Sequence, residues 1–219
     1  MEREKIEVLL ADDHTLVRQG LRALLEREPG LEIVAEAGDG RRALELIEEN
    51  RPLVAVLDIS MPQMNGLEAA RRIAKTSPET RVILLSMYKS PEYVREAVRA
   101  GVRGYILKEN AAEELVEAIH KVARGGYHFA PPILEEIVAS ARGPSRSRLD
   151  LLTPREREVL QLIAEGHTNK EISKIIHRSP ETVRSHRASI MKKLELHSIA
   201  ELVRFAVAEG LVPPFPEEL

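Results

Sequence analysis

The chain has 219 residues, of which 43% are hydrophobic and 31% charged, and its formal net charge is −3; this is the composition of a soluble globular protein with one large or two small domains. The absence of cysteine excludes disulfides, thiol catalysis and cysteine-based zinc sites, and a reducing cytoplasm is the expected compartment. No apolar run approaches the roughly 20 residues needed to span a bilayer, and the mixed-charge N-terminus differs from a signal peptide, so we expect no membrane contact.

Apolar segments alternate with segments of helical periodicity over the first 126 residues. The predicted strands cover 6–11, 31–35, 53–57, 81–86 and 102–107, and the predicted helices cover 16–27, 40–50, 68–75, 91–100 and 111–124. Thr15 is the expected N-cap of the first helix. Strands that alternate with helices indicate a parallel sheet covered on both faces. Residues 1–126 are therefore expected to form a doubly wound α/β domain, although the pattern leaves the strand order open.

The third predicted strand, 53–57, ends abruptly in the carboxylate of Asp58. The run is short and rich in Val and Leu, which favours a fully buried strand over a helix. The loop that follows contains Pro62 and an Asn65–Gly66 turn. Asp58 is therefore expected at the carboxyl end of a buried strand, which is where α/β sheets bind their ligands.

The composition changes after residue 126. The segment 127–149 contains two adjacent prolines, a short helix-like piece at 133–138 and a polar stretch at 140–148 that is rich in Ser, Gly and Arg. This composition is typical of an exposed linker between domains. We therefore predict a linker with one short helix, and a second domain over 150–219.

The second domain is predicted to be entirely helical. Helices are expected at 154–165, 170–177, 180–194 and 199–209; the predicted N-caps are Thr153, either Thr168 or Asn169, Ser179 and Ser198. Thr153 and Glu156 have the spacing of a capping box. Two short helices joined by a tight turn, of which the second is basic, match a helix-turn-helix.

Five polar residues lie at the ends of four predicted strands: Asp12, Asp13, Asp58, Ser86 and Lys108. Three converging carboxylates need a compensating charge, and oxygen ligands without histidine or cysteine suit Mg²⁺. A lysine and a hydroxyl beside a metal-bound carboxylate are the groups that bind a transferred phosphoryl. Taken one at a time, each residue could equally be a helix cap, a turn residue or a solvated strand end. Together they predict a phosphate pocket.

The segment from Arg178 to Lys193 contains five basic residues and one acid, a local balance of +4 that leaves −7 for the rest of the chain. A compact basic segment on an acidic chain suggests a nucleic-acid contact, although a solvated helix face is the simpler alternative. Because no aromatic platform for single strands accompanies it, duplex DNA is the expected partner.

Both halves resemble a known family. The first half resembles the receiver domain of bacterial two-component response regulators through Leu10-Ala-Asp-Asp13, Leu57-Asp58-Ile-Ser-Met-Pro62, Leu85-Ser86 and Gly104-Tyr105-Ile-Leu-Lys108. The second half resembles the LuxR-type helix-turn-helix through Leu152-Thr-Pro-Arg-Glu-Arg157, Asn169-Lys-Glu-Ile172 and Ser179-Pro-Glu-Thr-Val-Arg184. In this order the two motif sets resemble the NarL/FixJ subfamily of transcription regulators.

The receiver resemblance implies a flavodoxin-like, five-stranded sheet of order 2-1-3-4-5, with Asp58 as the phosphoacceptor. Asp12 or Asp13, or both, together with Asp58 and the backbone carbonyl of Ser60, would hold Mg²⁺. Lys108 would pair with the phosphoryl group, Ser86 would bond it, and Tyr105 would swing inward as a packing switch. Many receivers have proline after this lysine, whereas Glu109 stands here, so the local loop conformation is left open.

The DNA-binding resemblance places the basic helix in the major groove, with Arg184, Ser185 and Ala188 reaching bases. The full set of expected DNA contacts is Thr182, Arg184, Ser185, Arg187, Ala188, Lys192 and Lys193. Val183, Ile190, Met191 and Leu194 are expected in the core, and His186 is ambiguous between core and groove. The exposed part of the last helix is expected to form a two-fold interface, which predicts a homodimer on paired half-sites.

The function predicted from these features is a DNA-binding response regulator that a sensor histidine kinase phosphorylates and that acts on promoter DNA with RNA polymerase. One alternative is an aspartyl-phosphate phosphatase, but that class has a second Asp two residues after the nucleophile, where Ser60 stands here. A P-loop enzyme is excluded by the absence of its motif. A regulator with a vestigial pocket and an adaptor without DNA contact are the remaining alternatives, and the complete acidic set and the basic helix disfavour them.

Overall fold

The structure, a computed structural model, describes residues 5–87, 91–129 and 148–212. The chain forms two compact units, Met1–Gly143 and Pro144–Leu219. In the described part of the chain, no helix combines the length and the apolar character of a membrane span.

The first unit is built on a parallel sheet of six strands in the order β2-β1-β3-β4-β5-β6. Its strands are β1 (Ile6–Ala11), β2 (Leu31–Ala37), β3 (Val54–Asp58), β4 (Arg81–Ser86), β5 (Gly104–Leu107) and β6 (His128–Phe129). The flavodoxin-like order 2-1-3-4-5 is thus confirmed for the first five strands. The predicted strand count was wrong, because β6 lies in the segment predicted as linker and pairs with β5. A two-residue strand is too short to show the alternation of side chains by which a strand is detected in a sequence.

Helices cover both faces of the sheet. They are α1 (Thr15–Leu25), α2 (Gly40–Asn50), α3 (Gly66–Thr76), α4 (Pro91–Arg99) and α5 (Ala111–Ala123). Because side chains alternate along a strand, Leu9 and Leu57 pack in one core with α2, α3 and α4, whereas Leu10 and Val56 pack in another with α1 and α5. Both cores are buried, which explains the continuous apolar runs of the central strands.

Side chains cap two of the helices of the first unit. Asp39 caps α2 by accepting hydrogen bonds from the Arg41 and Arg42 amides, and Asn65 caps α3 by accepting one from the Glu68 amide. The expected cap at Thr15 was wrong: Thr15 is the first helical residue, and His14 occupies the N-cap position without a side-chain cap bond.

A buried ionic cluster joins α3 to α4. The Arg71 guanidinium bonds the Glu96 carboxylate, and its other nitrogen lies 3.6 Å from Glu68 Oε2. Both carboxylates are buried, and Arg99 also donates to Glu96 at 2.7 Å. Because a buried carboxylate is stable only when it is paired, this cluster fixes the packing of the two helices.

The second unit contains α6 (Pro154–Ala164), α7 (Asn169–Ile175), α8 (Pro180–Leu194) and α9 (Ile199–Ala208). The caps Thr153, Thr168, Ser179 and Ser198 all accept a hydrogen bond from the amide three residues on. Three of them are as predicted, and of the alternatives Thr168 and Asn169 the cap is Thr168. The tight turn between α7 and α8 contains His177 at φ 52°. The helix predicted at 133–138 lies outside the described residues.

Candidate functional site

The register of the sheet brings the predicted polar residues to one edge. Ala11 is level with Leu57, Asp58 with Leu85, and Ser86 with Leu107. The residues at or just after these positions therefore meet at the carboxyl ends of four neighbouring strands. They are Asp12, Asp58, Ser86 and Lys108.

Lys108 lies between two buried carboxylates. Its Nζ is 2.9 Å from Asp12 Oδ2 and 2.9 Å from Asp58 Oδ2. The side chains of Asp12 and Asp58 are 0% and 1% exposed, and that of Lys108 is 11% exposed. One ammonium therefore partly neutralises two carboxylates that have almost no contact with water.

This environment changes the proton affinities of both groups. Burial raises the pKa of the Asp58 carboxyl to about 6, and the neighbouring Asp12 carboxylate acts in the same direction, while Lys108 opposes both. Burial lowers the pKa of Lys108, but the charges and hydrogen bonds of Asp58 and Asp12 outweigh burial, so that this pKa lies above its usual value. At neutral pH, Asp58 is therefore largely an ionised but poorly solvated carboxylate, which is the nucleophilic form of this group.

The loop after Asp58 is closed by a glycine. The Gly66 amide donates a hydrogen bond to the Ile59 carbonyl at 3.0 Å. A Cβ at position 66 would lie 2.2 Å from the Asp58 backbone oxygen, a distance that any other residue could reach only by displacing the backbone. The Asn65–Gly66 pair that the sequence marks as a turn thus packs α3 directly against the backbone that bears Asp58.

Ser86 and Tyr105 lie on adjacent strands beside Asp58. Both are 0% exposed, and their side chains share a hydrogen bond. Burial raises the pKa of the Tyr105 phenol to about 12. The tyrosine ring therefore already points inward, with its hydroxyl bonded to the serine predicted to contact a phosphoryl group.

His14 also belongs to the acidic pocket, and it was missing from the predicted site. Donor atoms of Asp12, Asp13, His14 and Asp58 lie within 4.8 Å of one another. His14 Nδ1 is 2.8 Å from Asp13 Oδ1, so the pocket contains a histidine beside the predicted oxygen donors. Its place directly after Asp12 and Asp13 in the sequence was the available signal.

The pocket fits a divalent cation. Asp12 Oδ2, Asp13 Oδ1 and Asp58 Oδ2 are buried, and each lies within ion-pair distance of Lys108 or His14. Two buried carboxylates share the Lys108 ammonium, and Asp13 adds a third carboxylate to the same cluster. Additional positive charge at this position would compensate the remaining negative charge, and carboxylate oxygens are suitable ligands for it.

On α8, the predicted DNA contacts differ in exposure. Arg184, Ser185, Ala188 and Lys192 are exposed, whereas Thr182 and Arg187 are half-buried. The Arg184 guanidinium bonds the Glu181 carboxylate one turn earlier. Val183, Ile190 and Leu194 are buried, as predicted, while Met191 and His186 are half-buried.

Lys193 forms an ion pair within the second unit. Its Nζ lies 2.6 Å from Glu156 Oε2, and Ser189 donates to Glu156 Oε1 at 2.6 Å. Glu156 also accepts from the Thr153 amide at 2.8 Å, which completes the capping box of α6. One carboxylate therefore joins the start of α6 to the C-terminal half of α8. The sequence identified its role as a cap but gave no sign of the contact with α8.

Comparison with known proteins identifies a family for each half of the chain. The response regulator receiver domain family matches residues 8–120, and the luxR family of bacterial regulatory proteins matches residues 150–206. The transcriptional regulatory protein MctR of Rhizobium johnstonii is 38% identical over 96% of this chain and 97% of its own. The transcriptional regulatory protein UhpA of Escherichia coli is 40% identical over 91% of this chain and 96% of its own.

Solved structures show the same architecture. The RcsB response regulator of Salmonella typhimurium is 26% identical and covers 94% of this chain and 98% of its own, with a TM-score of 0.63. A complex of RcsB with DNA covers 94% of this chain and 99% of its own at 26% identity, with a TM-score of 0.58. Sequence, fold and pocket agree, and this chain belongs to the two-component response regulators in which a receiver domain precedes a luxR-type DNA-binding domain of transcriptional regulators.

Proposed function

We propose that Asp58 accepts a phosphoryl group from a sensor histidine kinase, and that this event controls promoter binding by α8. The observation that carries the proposal is the Asp58 carboxylate, almost unexposed and 2.9 Å from Lys108 Nζ. The proposed receiver spans 1–126 and the proposed DNA-binding domain spans 150–219, joined by the linker 127–149, of which the structure assigns 128–129 to the sheet.

In the proposed reaction, an Asp58 oxygen attacks the phosphorus of a phosphohistidine. An O–P bond forms, the N–P bond breaks, and the electron pair returns to the imidazole of the kinase. The distance of 2.9 Å from Lys108 Nζ to Asp58 Oδ2 supports a role for this ammonium in neutralising the transferred oxygens. Mg²⁺, held by Asp12, Asp13, Asp58 and the Ser60 carbonyl, would supply charge neutralisation at the same oxygens.

Ser86 and Tyr105 are the residues proposed to change conformation when Asp58 is phosphorylated. Since they share a hydrogen bond, a phosphoryl oxygen that draws the Ser86 hydroxyl away would remove the polar partner of the buried Tyr105. The new packing of Tyr105 would then alter the surface around β5. The same chemistry permits slow self-dephosphorylation, but the general acid expected of a dedicated phosphatase is absent at Ser60.

Phosphorylation at Asp58 is tested by mass spectrometry. The full-length protein is incubated with Mg²⁺ and a small phosphodonor, and wild type should gain the mass of one phosphoryl group. Asp58→Asn should gain none, because an amide cannot form the acyl phosphate. Asp150→Asn is the matched control, since that carboxylate is 49% exposed in the second unit and should not affect labelling. A mass gain that persists in Asp58→Asn contradicts the assignment.

The DNA-binding half is proposed to contact duplex promoter DNA through Thr182, Arg184, Ser185, Arg187, Ala188 and Lys192, with Lys193 as a weaker candidate because it is paired with Glu156. Exposed Ile199 on α9 is proposed to lie in a homodimer interface on DNA, and RNA polymerase is the proposed downstream partner. A capped, basic helix in a helix-turn-helix supports this arrangement.

Arg184 is expected to distinguish bases. Arg184→Ala should reduce the affinity for the cognate site by about 1–3 kcal/mol relative to random duplex, because a bidentate guanine contact is lost. Lys192→Ala is the control: a phosphate contact should weaken binding to both duplexes and lower the salt slope by about 1. Fluorescence anisotropy over a range of salt concentrations measures both quantities. Equal losses on both duplexes for Arg184→Ala would identify Arg184 as a phosphate contact instead.

A further inference from the structure

His14 lies at the entrance of the acidic pocket, in a position that no helix-capping role explains. Its backbone amide donates to Asp12 Oδ1 at 2.8 Å, and its ring, 43% exposed, points back toward the carboxylates. Nδ1 is 2.8 Å from Asp13 Oδ1 and 3.4 Å from Asp12 Oδ1. Although His14 occupies the N-cap position of α1, its side chain makes no cap bond.

These separations are those of neighbouring ligands around one cation. In a six-coordinate site with bonds of about 2.1 Å, adjacent ligand atoms lie about 3.0 Å apart and opposite ones about 4.2 Å. The donor atoms of Asp12, Asp13, His14 and Asp58 all fall within 4.8 Å of one another. Only small shifts would thus bring the imidazole and the carboxylates to a common ion.

Lys108 and His14 approach different oxygens of Asp12. The ammonium lies at Oδ2, whereas the imidazole and the His14 amide lie at Oδ1. Lys108 therefore does not block the side of the pocket that His14 faces. The candidate donors of the pocket are one imidazole nitrogen and the oxygens of three carboxylates, in contrast to the all-oxygen shell preferred by Mg²⁺.

We propose that His14 Nδ1 is a ligand of the cation held by this pocket, and that it makes the pocket favour a first-row transition-metal ion over Mg²⁺. Imidazole nitrogen is a good ligand for Fe²⁺, Ni²⁺ and Zn²⁺ and a poor one for Mg²⁺. The inference rests on the proposed function for the cation site itself, but it assigns a new ligand and a different metal preference. If His14 only hydrogen-bonded Asp13, its substitution would change the affinity of the pocket for every metal ion to a similar extent.

The test is isothermal titration calorimetry of the full-length, untagged protein with Ni²⁺ and, separately, with Mg²⁺. His14→Asn should weaken Ni²⁺ binding by at least about tenfold and leave Mg²⁺ binding little changed. His120→Asn, a histidine of the same unit on α5, is the matched control and should affect neither ion. Ni²⁺ should also broaden the NMR signals of the His14 ring, which gives a readout independent of affinity.

Each outcome is decisive. Similar losses for both ions in His14→Asn, or no loss for Ni²⁺, overturn the inference. Ni²⁺ binding through His14 without any Mg²⁺ binding supports the inference while contradicting the Mg²⁺ role in the proposed function. Because the His14 ring is partly exposed, the variant should fold; its melting temperature in metal-free buffer checks this, and His14→Gln provides a second variant.

Discussion

Lys108→Met is expected to destabilise the receiver unit by about 3–5 kcal/mol in metal-free buffer, the range found when one partner of a buried ion pair is removed. The substitution leaves two carboxylates, Asp12 and Asp58, buried without the ammonium that lies 2.9 Å from each. Methionine has a similar length, so the loss reflects charge more than packing. Urea denaturation followed by tyrosine fluorescence measures the change.

Tyrosine fluorescence reports on the unfolding of the receiver unit. The sequence has no tryptophan, and its four tyrosines are Tyr88, Tyr93, Tyr105 and Tyr127, all within Met1–Gly143. Tyrosine emission therefore follows unfolding of this unit alone.

Two variants separate charge from other effects of Lys108→Met. Lys75→Met changes an exposed lysine at the end of α3 and should alter stability by less than about 0.5 kcal/mol. The double variant Lys108→Met/Asp58→Asn should recover a large part of the loss, because it removes one of the uncompensated charges. If the double variant is as unstable as Lys108→Met, burial of charge is not the cause.

Glu156→Gln should destabilise the DNA-binding unit by about 2–3 kcal/mol at neutral pH. Although burial raises the pKa of Glu156, hydrogen bonds from Lys193, Ser189 and Thr153 outweigh it and lower the pKa to about 2. Each pKa unit corresponds to about 1.4 kcal/mol. Circular dichroism, compared with tyrosine emission from the other unit, isolates this transition.

The pH dependence follows from the direction of the shift. A carboxyl group whose pKa is lower in the folded state stabilises the fold fully above its unfolded value, near 4.5, and loses that contribution as the pH falls toward about 2. Wild type should therefore lose stability in this range, and Glu156→Gln should lose less. Glu171→Gln is the matched control: Glu171 has the same capping-box position in α7 but is exposed, so its loss should be smaller. Equal losses for the two variants would contradict the role of the contact with α8.

The sequence was sufficient to predict the features that depend on a local pattern of residues. Apolar runs predicted the first five strands, and side-chain caps such as Thr153, Ser179 and Ser198 marked helix starts within one or two residues. The convergence of Asp12, Asp58 and Lys108 was predictable because parallel strands end at one edge, and the register confirms their proximity.

Features that depend on contacts distant in sequence were not predictable. β6 is held by pairing with β5 and has no pattern of its own. Glu156 and Lys193 lie 37 residues apart, so nothing in either segment indicates that this lysine of α8 is paired. His14 lies beside Asp13 in sequence, but only the backbone path before α1 turns its ring toward the carboxylates.

The position of β6 has a mechanical consequence. Tyr105 on β5 is level with Phe129 on β6, and the His128 amide donates to the Arg103 carbonyl at 2.9 Å. The Arg103 guanidinium also stacks over the Tyr127 ring at 4.6 Å. Because β6 is hydrogen-bonded to β5, a displacement of the strand that carries Tyr105 also displaces residues 128 and 129.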